Sequence, residues 1–292
     1  MGGEGGFFSE FNNMVLSILY CLESNITFSI YSKDANFGYD KGWQDYFLPF
    51  CDEYGNQLHS LFNRRPNPRF KMKALSQIYD SICWIFRKIN PSVLTTADLW
   101  NEIRRPPLDK KYTIKELGID GDLLQACNKI IELIWKYQPD VERKINDMRC
   151  SLNINTPYFG FHIRGGDKFI EADLIKPSDY VEKAKRISSD IKTAFVLTDD
   201  YRVIKDLTEL YTDWTFHTFC APTERGYFHK DFQKSSKEFK RDSHIKLFAS
   251  MDVLADAEQF IGTFSSNPGM YLGMRMPKGK AVSLDVENWC IW

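Results

Sequence analysis

Between residues 155 and 285, short apolar runs of strand length alternate with amphipathic runs of helix length, and this alternation constrains the fold more than any other feature of the chain. Residues 158–163, 194–197, 216–219, 259–263 and 281–284 read as strands, because they are short and rich in aromatic and branched side chains. Between them, Pro177 opens a helix carrying Tyr180, Val181 and Ala184. Val203, Ile204, Leu207 and Leu210 share a helical stripe, residues 245–254 form another helix, and residues 270–274 a short one. Apolar strands alternating with helices argue for an α/β fold, a parallel sheet covered by helices. Such sheets bind ligands in the turns beyond the carboxyl ends of their strands.

The first half reads differently. Glycines at 2, 3, 5 and 6 precede Phe7, and the apolar positions Phe11, Met14, Val15, Ile18, Leu19 and Leu22 recur at helical spacing. Residues 27–31 alternate as a strand does. A glycine turn feeding a helix can cradle a phosphate, which makes Gly5 and Gly6 candidates; a loose terminus would look the same, and the spacing is not a dinucleotide fingerprint. Arg64, Arg65 and Arg69 fall in a polar stretch, best read as a solvated face. Residues 71–89 and 123–137 predict helices, stopped by Pro91 and Pro139, and a charged run follows to Arg149. The change of character near residue 150 suggests an N-terminal domain over 1–145 and a C-terminal domain over 146–292.

Composition narrows the function classes. A hydrophobic share of 43% supplies a core and excludes a mostly disordered chain. A formal charge of -1 disfavours non-specific nucleic-acid binding, so no nucleic-acid partner is expected. The apolar run at 14–22 is too short to span a bilayer, and the N-terminus has no basic segment leading an apolar one. The expectation is therefore a cytoplasmic chain with no membrane span; a secretory-lumen location requires a longer one. The seven cysteines form no CxxC pair, so neither a disulfide framework nor a zinc cluster is indicated. Asn25-Ile26-Thr27 matches a glycosylation triplet, which is weak evidence alone.

Three polar clusters follow predicted strands. In His162-Ile163-Arg164-Gly165-Gly166-Asp167-Lys168, an Arg and a Lys sit where the chain turns out of a buried strand. Arg grips phosphate with parallel hydrogen bonds and Lys adds a point charge. Thr198-Asp199-Asp200 follows the next strand; its acids suit a sugar hydroxyl, a base edge or a cation, or equally a helix cap. Thr263-Phe264-Ser265-Ser266-Asn267-Pro268-Gly269 offers hydroxyls and amides at a helix start, suited to phosphate or to ordinary capping. Together the clusters suggest a diphosphate held by Arg, Lys and a helix N-terminus. Asp285-Val286-Glu287 is not a DxD-type metal motif, and it lies toward the end of the chain, away from this cluster.

These segments resemble the C-terminal motifs of the α1,6-fucosyltransferases, a group holding the eukaryotic core enzymes and the rhizobial nodulation enzymes, within a wider superfamily that includes protein O-fucosyltransferases. The resemblance covers about residues 155–270. It implies a GT-B arrangement, with two Rossmann-like domains facing a cleft, and an inverting, metal-independent transfer from GDP-fucose to a glycan or glycoprotein hydroxyl. No further cofactor is implied. On the matching positions, Arg164 would bind the diphosphate and stabilise its departure. His162 would lie beside the nucleotide, and Asp167 and Lys168 would shape the donor site. Asp199 and Asp200 would face the guanine or the donor sugar, and Ser265 and Ser266 the diphosphate. Gly5 and Gly6 are placed like the nucleotide-side loop of the first domain. The chain departs from the family in having Gly165 where core enzymes have a second Arg, and in the spacing of Glu171 and Asp173, the candidate bases, after Lys168. Rival readings are a GT-B enzyme using another nucleotide sugar, a protein O-fucosyltransferase, and a non-catalytic nucleotide- or glycan-binding module.

Overall fold

The computed structural model describes residues 1, 5–33, 35–55, 81, 85, 88–89, 94–96, 99–104, 106–165 and 175–289. The chain divides into two compact units, Met1–Lys136 and Tyr137–Trp292.

In the first unit, helix α1 (Phe7–Glu23) buries Phe11, Met14, Val15 and Leu19 of the stripe its spacing predicts, with Phe7 and Phe8 beside them, while Ile18 and Leu22 are half-buried. Helix α2 (Trp100–Arg104) and an antiparallel pair, β1 (Tyr112–Ile114) with β2 (Ile119–Gly121), follow. Helix α3 (Leu123–Ile134) starts on a reciprocal cap in which the Gln125 amide donates to the Asp122 carboxylate, and the Asp122 amide donates to the Gln125 side chain. An aromatic core joins these pieces. Phe11 meets Trp135 edge-on at 5.2 Å between ring centres, and Trp43 stacks on Phe47 at 4.3 Å.

The strand expected at 27–31 reduces to one parallel bridge, Ile30 with Glu53. Burial alternates from Thr27 to Ile30 and breaks at Tyr31, which is buried too, and the backbone finds a partner at that one point. Among the described residues, the first unit therefore shows no extended parallel sheet. The helix expected at 71–89 and the arginines 64, 65 and 69 lie largely or wholly outside the described residues; of its apolar stripe, Ile85 and Ile89 are exposed.

The second unit holds a five-stranded sheet in the order β5-β4-β3-β6-β7, with every pairing parallel. The strands are β3 (Phe159–Ile163), β4 (Thr193–Thr198), β5 (Thr215–His217), β6 (Gln259–Gly262) and β7 (Ala281–Ser283). Helix α5 (Pro177–Ile187) connects β3 to β4, and α6 (Tyr201–Leu210) connects β4 to β5. Both pack on the sheet face that carries Phe159, Phe161 and Ile163; Tyr180, Val181, Ala184 and Leu207 close that layer. Helices α7 (His229–Lys234) and α8 (Lys237–Ala255) lead back to β6, and α9 (Asn267–Arg275) joins β6 to β7. Helix α8 lies on the opposite face. A Cβ at Gly160 would stand 2.9 Å from the Leu254 side chain and 3.2 Å from the Ala257 Cβ, so the glycine in β3 lets α8 pack close. The chain thus runs outward from β3 on one face, crosses back, and resumes at β6 on the other.

Helix α4 (Pro139–Ser151) occupies the charged run that follows the expected stop at Pro139. The proline sits in the first turn, where it lacks only an N–H that has no helical partner. Behind the sheet, Asp252 of α8 pairs with Arg275 of α9 at 2.6 Å and accepts the Tyr137 hydroxyl at 3.0 Å, while Arg275 donates to the Tyr271 hydroxyl at 2.8 Å. Asp252 and Tyr271 are buried and Tyr137 and Arg275 half-buried, so the inner polar atoms need such partners.

Candidate active site

The register fixes which turns are neighbours. Phe161 lies opposite Ile261, and Ile163 opposite Thr198. The turns after β3 and β6 therefore leave one edge of the sheet from adjacent strands, about 4.8 Å apart. From there the chain goes to α5 on one face and to α9 on the other. A crevice at that divergence is where open α/β sheets take their ligands. Arg164 and Gly165 leave β3 at this point, both half-buried. His162 is buried on the α8 face, on the same side of β3 as Gly160.

Asp199 follows β4 and holds the edge together. Its carboxylate accepts the Gly165 amide at 2.7 Å and the Tyr227 amide at 2.8 Å, and its carbonyl accepts the Gly226 amide at 2.7 Å. It thereby ties the exits of β3 and β4 to the segment before α7. The absence of a side chain at Gly165 matters here, because a Cβ would come 3.1 Å from the Asp200 side chain. Asp200 takes the capping role that the sequence left open. It accepts the Arg202 amide at 2.9 Å at the start of α6 and pairs with the Arg202 guanidinium. The Arg202 guanidinium beside it, against partial burial, holds its carboxyl below the usual range.

The turn after β6 is equally organised. Ser266 caps α9: its hydroxyl donates to the Thr263 carbonyl at 2.8 Å and accepts the Gly269 amide at 3.2 Å. A Cβ at Gly269 would fall 1.9 Å from the Thr263 carbonyl oxygen, which admits no other residue there. Ser265 is exposed. Asp285, expected to lie away from the cluster, lies inside it. Its carboxylate accepts the Phe264 amide at 2.9 Å and the Ser265 amide at 3.1 Å, and it also bonds the Ser283 and Ser265 hydroxyls. Partial burial works to raise its pKa, but these hydrogen bonds outweigh it and hold the carboxyl below its ordinary value. The sequence carried a faint signal for this position: an acid placed two residues beyond the last apolar strand.

Asp167, Lys168, Glu171 and Asp173 lie outside the described residues. Gly5 and Gly6 belong to the first unit, where the Gly6 carbonyl accepts the Ser9 amide at 3.0 Å and no side chain caps α1. A cavity of about 430 Å³ in that unit is lined by Leu16, Tyr20, Glu23, Ile103, Pro107 and Tyr112 among others, and holds none of the expected site residues. Among the described residues, no three His, Cys, Asp or Glu side chains gather to hold a metal ion. No described helix is long and apolar enough to cross a membrane.

No protein-family model and no curated protein matches the chain. Solved structures do. The fucosyltransferase NodZ from Bradyrhizobium superposes with a TM-score of 0.54 over 95% of each chain at 16% identity. The NodZ α-1,6-fucosyltransferase soaked with GDP-fucose gives 0.53 over 96% of this chain and 92% of its own, also at 16%. The same enzyme co-crystallised with GDP gives 0.53 at 15%. At this identity the likeness speaks for architecture, and together with the doubly wound parallel sheet of the second unit it gives the chain the GT-B fold.

Proposed function

We propose that the chain is a fucosyltransferase that moves fucose from GDP-fucose to a glycan hydroxyl, with inversion, without a metal and with α1,6-type linkage. One observation carries the reading. The turns bearing Arg164 and Ser265-Ser266 leave adjacent parallel strands at a switch point, in a chain that shares its fold with enzymes solved with GDP-fucose and GDP.

In a single displacement at the fucose anomeric carbon, the bond to the leaving diphosphate breaks as the acceptor oxygen bonds to the opposite face. Negative charge grows on the diphosphate. Arg164 is assigned to offset it, the role a metal plays in other transferases. Lys168 adds a second cation, and His162 and Asp167 shape the nucleotide side. Glu171, or Asp173, takes the acceptor proton as general base. Asp199 serves this site by holding the Arg164 turn in place, while Asp200 and Ser266 shape it through the helix starts they cap. On the resemblance, Gly5 and Gly6 are proposed as a nucleotide-side loop of the first unit.

The test is turnover of GDP-fucose against a panel of chitooligosaccharide and N-glycan acceptors, with and without chelator, in the wild-type chain and in Arg164→Ala. Loss of turnover by about a hundredfold or more in a folded variant is expected for a group that meets transition-state charge. Near-normal turnover in Arg164→Ala, or transfer from another nucleotide sugar only, refutes the assignment.

A further inference from the structure

The turn between β6 and α9 already carries an anion, and that anion belongs to the chain. Asp285 reaches it from beyond β7 and takes the Phe264 and Ser265 amides together with the Ser265 hydroxyl. These are the donors that a diphosphate at this turn would use.

We propose that Asp285 is the resident anion of the β6–α9 turn and competes with the donor's diphosphate for it, so that donor binding displaces the carboxylate. This rests on the nucleotide-sugar reading above and adds a regulation of the same site. A carboxylate oxygen and a phosphate oxygen are both charged acceptors of the same reach, and one amide hydrogen serves one of them well. Three other amides near the start of α9 are already engaged, and Pro268 has none. Ser266 N–H donates to the Thr263 carbonyl, Gly269 N–H to the Ser266 hydroxyl, and Met270 N–H to the Ser266 carbonyl. The Phe264 amide is shared with the Ser283 hydroxyl at 3.1 Å, so the donor that an incoming anion takes from Asp285 is above all the Ser265 amide.

Displacement leaves no orphaned group. Asp285 also accepts the Val286 amide at 2.9 Å and bonds the Ser283 hydroxyl, and it is exposed on its outer side. Swung away from the turn, it keeps those local partners and gains water. Ser265 is exposed as well, so the turn is open to a ligand. Arg164, leaving the adjacent strand, supplies the cation that favours the incoming diphosphate over a lone carboxylate.

The experiment measures GDP and guanosine affinities by calorimetry for the wild-type chain, Asp285→Ala and Asp285→Asn, with a melting curve to establish that each is folded. Removing a charged competitor should tighten GDP binding by about tenfold in Asp285→Ala and by less in Asp285→Asn. Guanosine, which has no phosphate, should bind all three alike. Weaker or unchanged GDP binding in the folded variants overturns the proposal and leaves the donor reading standing. A wild-type chain that binds no GDP removes both. Should Asp285→Ala fail to fold, the wild-type chain still decides: the Ser265 amide resonance should move on saturation with GDP, and a resonance unmoved with GDP bound overturns the displacement.

Discussion

Asp199 offers the sharpest test of how the sheet edge is built. Its carboxylate receives two backbone amides, Gly165 at 2.7 Å and Tyr227 at 2.8 Å, that belong to different turns. A hydrogen bond to a charged acceptor contributes about 1.5–3 kcal/mol. Both residues are half-buried, so their amides recover some water when the acceptor goes, and the lower end of that range applies. Asp199→Ala should therefore cost about 3 kcal/mol. Asp199→Asn retains one acceptor oxygen and turns an amide N–H toward the other donor, and should cost about 2 kcal/mol. Urea unfolding at pH 7 reads both values. The same variants separate two roles. If Asp199 acts by holding the turns, GDP affinity and stability fall together, and the Gly165 and Tyr227 amides lose protection from hydrogen exchange. A variant within about 0.5 kcal/mol of wild type, or one that loses GDP binding at full stability, refutes the clamp.

Further outcomes follow from the same geometry. Burial lowers the His244 pKa to about 4 while its ring N–H donates to the Lys240 carbonyl at 2.7 Å. The unfolded chain takes up the proton first, so stability is full above pH ~6.5 and falls toward pH ~4; His244→Phe should remove about 2–3 kcal/mol of that dependence, read by urea unfolding at pH 7 and pH 4.5. Gly269→Ala forces a Cβ into the Thr263 carbonyl and should destabilise the second unit by about 3 kcal/mol or prevent its folding; a normal melting temperature would contradict the close approach. Asp252→Ala leaves the largely buried Arg275 guanidinium without its carboxylate and should cost about 3–5 kcal/mol, whereas removal of an exposed pair such as Lys192 with Asp213 should leave the melting temperature essentially unchanged.

The second unit was largely legible in the sequence because a parallel sheet buried on both faces writes itself as apolar runs. Residues 159–163 are buried throughout in β3, and the expected strand there began one residue early. The strand 216–219 appears as Thr215–His217, a three-residue outer strand with fewer neighbours to extend it. The first unit was less legible. Residues 27–31 alternate correctly, but whether a segment pairs depends on a partner far along the chain, and here the partner is Glu53 alone. The site shows the same division. The turns after β3, β4 and β6 could be read because each follows an apolar run directly. Asp285 follows an apolar run too, but its place in the cluster depends on β7 pairing beside β6, which brings together residues about twenty positions apart. The division of labour between Asp199 and Asp200 was equally hidden: adjacent identical acids face a bridging role and a capping role because only one of them has its side chain over the start of α6.

The ion pair of Arg275 with Asp252 has a mechanical consequence. It pins the carboxyl end of α9 to α8 in a setting where separating the charges is costly, and Trp289 adds a second pin by donating to the Met270 carbonyl at 2.8 Å. The body of the helix is thus riveted, while its leading turn is held by the Ser266 cap and by the Asp285 carboxylate. A ligand arriving there can reshape a handful of atoms without dragging the helix, so the strain it creates stays local and the scaffold behind it stays still.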